Sequence, residues 1–168
     1  MNTLIAYGTR KGASRRTAEL IAETLTNVDG RLCIVKDAKR VGRAQLEGAD
    51  SIVIGSSIAV GRWKPSAKRL LRKAGATGKP VAVFVSAAGM LSGKEPGSPD
   101  AEPKGTLAER EAEAVARYID PVAAKTGARP VAQAAFGGRM EMFGKVMFDN
   151  WDPEPITAWA TDLTRKLR

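Results

Sequence analysis

Short apolar runs alternate along this chain with segments in which apolar residues recur every three or four positions. The runs predict β-strands at Thr3–Tyr7, Leu32–Val35, Ser51–Ile54, Val81–Val85 and Pro130–Phe136. The segments between them predict helices at Ala13–Leu25, Ala44–Leu46 and Ser66–Ala74, one after a capping box at Thr106, and a last one after Asp152. Strands that alternate with helices predict a parallel α/β sheet covered on both faces.

One segment interrupts this alternation. The stretch Gly89–Gly105 is rich in glycine, proline and charged residues, and it is too punctuated for regular structure. A loop of this length inside a domain is usually either functional or disordered. The length of 168 residues fits one domain, residues 1–168, that includes this loop.

The first predicted strand runs into a loop of small and hydroxylic residues that leads directly into a helix. Thr9 and Ser14 supply hydroxyl groups, and Gly12 permits close approach of the backbone. The free N–H groups in the first turn of a helix attract anions, and the helix dipole adds to this attraction. The segment therefore has two interpretations, a phosphate-binding loop or an ordinary turn with Ser14 as the helix N-cap.

The same segment resembles the flavodoxin signature, whose characteristic positions are occupied here by Tyr7, Thr9, Gly12, Ser14, Ala18 and Ile21. It departs at Ala6, where a larger apolar residue is usual, and at Ser14, where threonine is common. The resemblance implies a flavodoxin-like three-layer α/β sandwich with a five-stranded parallel sheet of order 2-1-3-4-5. It also implies an FMN cofactor whose phosphate is held by Thr9, the backbone of Arg10 and Lys11, Gly12, Ala13 and Ser14.

In that fold the ligand lies at the carboxyl ends of the strands, where the strand order reverses. Two loops would then flank the flavin ring, one with Ser56, Ser57, Ile58, Ala59, Val60 and Gly61, the other with Ser86, Ala87, Ala88 and Gly89. Trp63 either stacks on the ring or packs at the start of the next helix. Neither Val60 nor the second loop supplies the aromatic residue that flavodoxins often place beside the ring, so the ring is expected to be less enclosed.

The counts of histidine and cysteine restrict the kinds of catalysis and metal binding that the chain can support. The chain has no histidine and a single cysteine, Cys33. These counts exclude Ser-His-Asp hydrolysis and argue against a structural metal site, so a bound cofactor would have to carry any redox chemistry. The sequence shows neither a signal peptide nor a membrane-spanning run, and one cysteine fits a reducing cytoplasm.

The net charge of +9 favours anionic partners. An acidic surface on a redox partner protein, an acidic substrate and an anionic membrane surface all fit this charge. The basic residues are spread along the chain without interleaved aromatic residues or a nucleic-acid-binding motif, so nucleic acid is not an expected partner.

Two further stretches are similar to the flavodoxin-domain branch that includes menaquinone-dependent protoporphyrinogen oxidase. They are Ile54–Ile58 with Gly61, and Ala135–Arg139 with Phe143–Phe148. In that branch an aromatic, basic, helix-like region precedes the closing helix. The apolar cluster Met140–Phe148 either joins the core or forms a surface for a quinone, a porphyrin or lipid headgroups, with possible peripheral contact at the inner face of the membrane.

Three functional hypotheses follow from these observations. The first is an FMN-binding flavodoxin-like redox protein that transfers electrons through the flavin. The second is an enzyme similar to menaquinone-dependent protoporphyrinogen oxidase, and the third is a flavodoxin-fold binding protein without flavin. The sequence identifies no side chain as a catalytic base.

Overall fold

The computed structural model describes residues 1–168. Five parallel strands form the central sheet, β1 (Asn2–Gly8), β2 (Leu32–Asp37), β3 (Ser51–Ser57), β4 (Val81–Ser86) and β5 (Ala132–Phe136). Their spatial order is β2-β1-β3-β4-β5, which confirms the predicted flavodoxin-like topology. The order reverses beside β1, because β2 and β3 pair with opposite edges of that strand.

Helices cover both faces of the sheet. They are α1 (Ala13–Asp29), α2 (Arg43–Gly48), α3 (Pro65–Gly75), α4 (Ala88–Ser92), α5 (Leu107–Ala114), α6 (Asp120–Thr126) and α7 (Pro153–Lys166), with a short 3₁₀ turn at Ala38–Arg40. Successive strand residues point to opposite faces, so Leu4 packs in the cluster beneath α3 whereas Ile5 packs in the cluster beneath α1 and α7. Each face of the sheet therefore has its own apolar core layer.

The helical segment after the capping box changes from α-helix to a π-helical turn and back to α-helix. Thr106 caps α5 as predicted, since its side chain accepts a hydrogen bond from the Glu109 N–H at 3.2 Å. Residues Val115–Ile119 then form a π-helical turn before α6, in which Pro121 lies near the start. Because proline has no N–H group, it interrupts the helical hydrogen bonds, and the expected disturbance at Pro121 is confirmed.

Two predictions about irregular segments need correction. The stretch predicted as an irregular loop from Gly89 contains the end of α4, because Ala88–Ser92 forms a short helix directly after β4. The segment Met140–Phe148 is not helix-like and does not join the core. It belongs to a hairpin of β6 (Arg139–Met142) and β7 (Lys145–Asp149), where Phe143 is 99% exposed.

The hairpin forms because Phe143 and Gly144 both adopt positive φ angles, 50° and 74°. Two such residues make the tight turn whose twist matches antiparallel strands. The base of the hairpin is held by Asn150, whose side-chain oxygen accepts from the Gly138 N–H at 3.0 Å and whose side-chain nitrogen donates to the Ala88 carbonyl at 2.9 Å. The hairpin is thereby attached beside the carboxyl ends of β4 and β5.

Candidate functional site

The loops after β1, β3 and β4 meet at the carboxyl edge of the sheet, where the strand order reverses. Their hydroxyl groups form one connected network. The Ser14 hydroxyl lies 2.8 Å from that of Ser57 and donates to that of Ser86 at 3.0 Å. The Ser57 hydroxyl also lies 3.3 Å from that of Thr9. Side-chain hydrogen bonds therefore join the start of α1, the carboxyl ends of β3 and β4, and Thr9 in the loop after β1.

Ser14 has no solvent exposure, so its hydroxyl acts inside this network. The structure does not place it on a surface where a ligand phosphate would meet it directly. Thr9 has a comparable internal role, because its hydroxyl also accepts from the Gly12 N–H at 2.9 Å. Both hydroxyls thus make hydrogen bonds within the chain, and their assignment as phosphate donors stays a prediction.

The start of α1 leaves several backbone donors free. Gly12 is the N-cap, with a left-handed φ of 87°, and its carbonyl accepts from the Arg16 N–H at 3.0 Å. The N–H groups of Ala13, Ser14 and Arg15 precede that first helical hydrogen bond and have no acceptor within the helix. The interpretation of Ser14 as the N-cap is wrong, because no side chain caps this helix. An anion at this end would satisfy the free donors.

Four cations cluster around the same helix end, where the first turn contains no acidic residue: Arg10, Lys11, Arg15 and Arg16. Positive side chains at the positive end of a helix dipole repel it, so this arrangement favours a bound anion. Arg15 pairs with Glu19 at 2.9 Å, and the Arg16 guanidinium lies 3.9 Å from the centre of the Trp151 ring. Arg10 has no carboxylate partner among the ion pairs of the structure.

A cavity of about 810 Å³ opens beside this helix end. Most of the residues predicted to bind the cofactor line it, namely Arg10, Lys11, Ala13, Ser57, Ile58, Ala59, Val60, Gly61, Ser86, Ala87, Ala88 and Gly89. The volume is within the range of pockets that hold a cofactor of moderate size. The structure thus brings the three predicted loops together around one cavity.

Five predicted residues do not line the cavity: Thr9, Gly12, Ser14, Ser56 and Trp63. Ser56 ties its loop to the start of α3, since its hydroxyl accepts from the Lys64 N–H at 2.9 Å. Trp63 is only 7% exposed, and its indole N–H donates to the Tyr118 carbonyl at 2.6 Å in the π-helical turn. Of the two interpretations of Trp63, the packing role agrees with this position and ring stacking does not.

The hairpin β6–β7 forms a wall of the cavity. The sequence singled out the apolar cluster Met140–Phe148 but did not predict its hairpin structure or its position beside the cavity. Met140, Met142 and Phe148 line the cavity from this side, together with Phe143 at the tip. The hairpin packs on α4, since a Cβ atom added to Gly89 would lie 3.6 Å from the Met140 sulfur, in van der Waals contact. The alternation of Met140 with Met142, followed by Phe143-Gly144, was the available signal for a hairpin.

A salt bridge joins this hairpin to the loop before α1. The Lys11 ammonium lies 3.1 Å from one carboxylate oxygen of Glu141, and Arg139 bonds the other oxygen at 2.9 Å. The hydrogen bond from Lys11, and then that from Arg139, holds the pKa of Glu141 below its usual range. Glu141 is therefore a carboxylate at neutral pH, and it offsets part of the positive charge at the cavity.

No group of three or more histidine, cysteine, aspartate or glutamate side chains is arranged to hold a metal ion. None of the helices combines the length and the apolar character needed to cross a bilayer.

Comparison with known proteins agrees with the flavodoxin-like topology of the sheet. A family model described as Flavodoxin domain matches residues 4–148 of the chain. Among solved structures, the chain is similar to oxidised flavodoxin 1 from Bacillus cereus, with 16% identity, 100% of each chain covered and a TM-score of 0.59. It is also similar to a flavodoxin from Streptococcus pneumoniae, with 14% identity over 99% of this chain and 97% of that chain and a TM-score of 0.60.

A flavodoxin from the domain Archaea shows 15% identity over 99% of both chains, with a TM-score of 0.57. At these low identities the structural similarity establishes a common fold. No sequence among the curated proteins matches the chain significantly.

Proposed function

This chain belongs to the flavodoxin domain family, and from that membership we propose that it binds FMN and transfers electrons through the flavin. One observation carries the proposal. The start of α1 leaves three N–H groups free, and Arg10, Lys11 and Ala13 at this helix end line a cavity at the point where the strand order reverses. That arrangement suits a ligand with a phosphate at one end and a flat ring system at the other.

The residues around the cavity fit this cofactor in distinct ways. The N–H groups of Ala13, Ser14 and Arg15 would hold the phosphate, and the Arg10 guanidinium would add positive charge. The hydroxyl network centred on Ser14 keeps the three loops in register before the ligand arrives, which lowers the entropy lost on binding.

The remaining walls would meet the flavin ring. The loops Ser57–Gly61 and Ala87–Gly89 offer backbone groups and small side chains, and the hairpin adds Met140 and Phe148. When bound, FMN supplies the electron-transfer chemistry, while the protein binds and orients it and determines its exposure to solvent.

The proposed partner of an electron carrier with this composition is a protein with an acidic surface. The net charge of +9 favours such a partner, since complementary charge accelerates association. The test is the rate of electron transfer between the FMN-loaded protein and an acidic redox protein at increasing NaCl concentration. The rate should fall steeply between about 0.05 and 0.5 M salt, because screening shortens the range of the attraction. A rate independent of salt contradicts this choice of partner.

A second candidate function is favoured by the hairpin wall. Met140, Met142 and Phe148 give the cavity an apolar side, and Arg139 and Lys94 lie on the same cavity. Apolar side chains beside cations suit a flat substrate with carboxylates, so oxidation of protoporphyrinogen with a quinone acceptor is the alternative to a carrier.

An oxidation assay separates the two functions. The FMN-loaded protein is mixed with protoporphyrinogen and a menaquinone analogue, and porphyrin fluorescence is followed. The enzyme alternative predicts turnover that is lost when Phe143 and Lys145 are replaced together, with bound FMN unchanged. Absence of turnover in protein that still accepts and donates electrons favours the carrier.

A further inference from the structure

Two exposed apolar residues share an unusual backbone conformation. Val60 and Phe143 are the chain's only non-glycine residues with positive φ, at 51° and 50°. They are also the most exposed of the large hydrophobic residues, at 94% and 99%. The whole chain therefore places its two left-handed apolar residues where their side chains touch almost nothing.

Both residues occupy the same position in a tight turn. The Val60-Gly61 turn is closed by paired backbone hydrogen bonds between Ala59 and Arg62, and Phe143-Gly144 joins β6 to β7. Asparagine, aspartate and glycine are preferred at the first turn position, whereas a β-branched or bulky residue is strained there. An exposed valine or phenylalanine at this position opposes folding and gains no packing within the chain in return.

The two turns also share a sequence pattern. Each has an apolar residue, a glycine and a cation in succession, Val60-Gly61-Arg62 and Phe143-Gly144-Lys145. Neither Arg62 nor Lys145 has a carboxylate partner among the ion pairs of the structure. Val60 and Phe143 both line the same cavity, so the two apolar tips stand at one opening of the molecule.

We propose that these two turns anchor the protein to an anionic lipid bilayer, with Val60 and Phe143 inserted among the acyl chains and Arg62 and Lys145 at the level of the lipid phosphates. An apolar side chain flanked by a cation is the combination that binds such an interface. The net charge of +9 complements anionic lipid. The cavity then opens toward the bilayer.

A bilayer suits these tips better than a protein partner does. A stable protein interface needs a continuous surface of roughly 800 Å² on each side. Two separate side chains on narrow turns do not form such a surface, but each can enter a fluid bilayer independently. The inference goes beyond electron transfer, because it concerns attachment to lipid and is tested on the protein without flavin.

The test is sedimentation of the apoprotein with phosphatidylcholine vesicles that contain either no anionic lipid or about a third phosphatidylglycerol. Wild-type protein should bind the anionic vesicles and bind the neutral vesicles weakly. The double variant Val60→Asn/Phe143→Asn should lower the partition coefficient on anionic vesicles at least tenfold. The matched control is Leu32→Asn, which removes an exposed apolar side chain at the amino end of β2, on the opposite edge of the sheet, and should bind like wild type.

Thermal unfolding distinguishes loss of an anchor from loss of the fold. Asparagine tolerates the left-handed conformation, so each single variant should unfold at the wild-type temperature or above it. Failure of the wild type to bind anionic vesicles would overturn the proposal. Equal binding of wild type and double variant would also overturn it, since charge alone would then explain the association. Because the apoprotein is used, either result is independent of whether the protein binds FMN.

Discussion

Replacing Ser14 with alanine should destabilise the apoprotein by about 2 kcal/mol. The substitution removes two hydrogen bonds, to Ser57 at 2.8 Å and to Ser86 at 3.0 Å, from a site without solvent exposure. Each such bond contributes about 1 kcal/mol net, and both Ser14 and Ser86 are buried. For a domain of this size, 2 kcal/mol corresponds to a decrease of about 4–8 °C in the unfolding temperature.

The assay is urea denaturation followed by circular dichroism, with Ser98→Ala as the control. Ser98 is exposed and its hydroxyl makes no hydrogen bond, so that variant should unfold like wild type. A double-mutant cycle of Ser14→Ala with Ser57→Ala isolates the bond between the two hydroxyls. The coupling energy should be about 1 kcal/mol, because each single variant already removes the shared interaction.

The same substitution should weaken FMN binding even though Ser14 does not line the cavity, because the three loops lose their common support. A Ser14→Ala protein as stable as the Ser98 control would refute the network as a stabilising element. Additive effects in the double-mutant cycle would refute the bond between Ser14 and Ser57.

Three further substitutions or modifications test other parts of the structure. Gly55→Ala should destabilise the protein by about 3 kcal/mol in urea denaturation, because the added Cβ would overlap the buried Phe84 ring. A hydrogen bond from Arg31 holds the pKa of Asp29 below its usual range. The pair therefore stabilises the fold fully at pH values above the unfolded-state pKa of about 3.9. This stabilisation is lost as the pH falls through the lower native-state pKa. Asp29→Asn should therefore cost about 2–3 kcal/mol at neutral pH and progressively less as the pH falls below about 3.9, as measured by urea denaturation over a series of pH values. Burial raises the pKa of the Cys33 thiol, so iodoacetamide should alkylate the native protein more slowly than the urea-unfolded protein, as followed by mass spectrometry.

Each of these predictions has a control or a contradicting outcome. Gly48→Ala is the control for the β3 substitution, because a Cβ there meets no atom within 4 Å and alanine favours the helix. Equal stability of the two alanine variants would contradict the account of β3. A cost of Asp29→Asn that does not change with pH would contradict the role of the ion pair, and equal alkylation rates would contradict burial of the thiol.

Most of the fold could be predicted because its determinants are local. A buried parallel strand such as β3 contains an apolar run, Ile52–Ile54, and α1 has one apolar face with a loop of distinctive residues before it. The strand order came from the resemblance of that loop to the flavodoxin signature. It could not be derived from strand patterns alone, since these are compatible with several orders.

The site was predicted at the level of loops and only in part at the level of side chains. The sequence shows that Ser14 carries a hydroxyl, but its direction depends on Ser57 and Ser86, which are 43 and 72 residues away along the chain. The position of Trp63 likewise depends on a carbonyl of the π-helical turn. Such long-range contacts leave no periodic signal.

The hairpin was missed for a different reason. Its strands contain only four and five residues, and a bulge between Met140 and Glu141 interrupts the register. Its turn also has phenylalanine where asparagine would mark a hairpin. The hairpin wall of the cavity is thus the part of the site whose sequence departs from the usual preferences for a hairpin.

The central claim is that α1 and its loop bind the phosphate of FMN, and calorimetric titration of the apoprotein with FMN and with riboflavin tests it most directly. The two ligands share the ring and differ in the phosphate, so their affinity ratio isolates the phosphate site. Even if only two of the three free N–H groups bond the phosphate, at about 1.5 kcal/mol each, FMN should bind at least about a hundredfold more tightly than riboflavin. Equal affinities, or binding of neither flavin, would contradict the assignment of this helix end as the phosphate site.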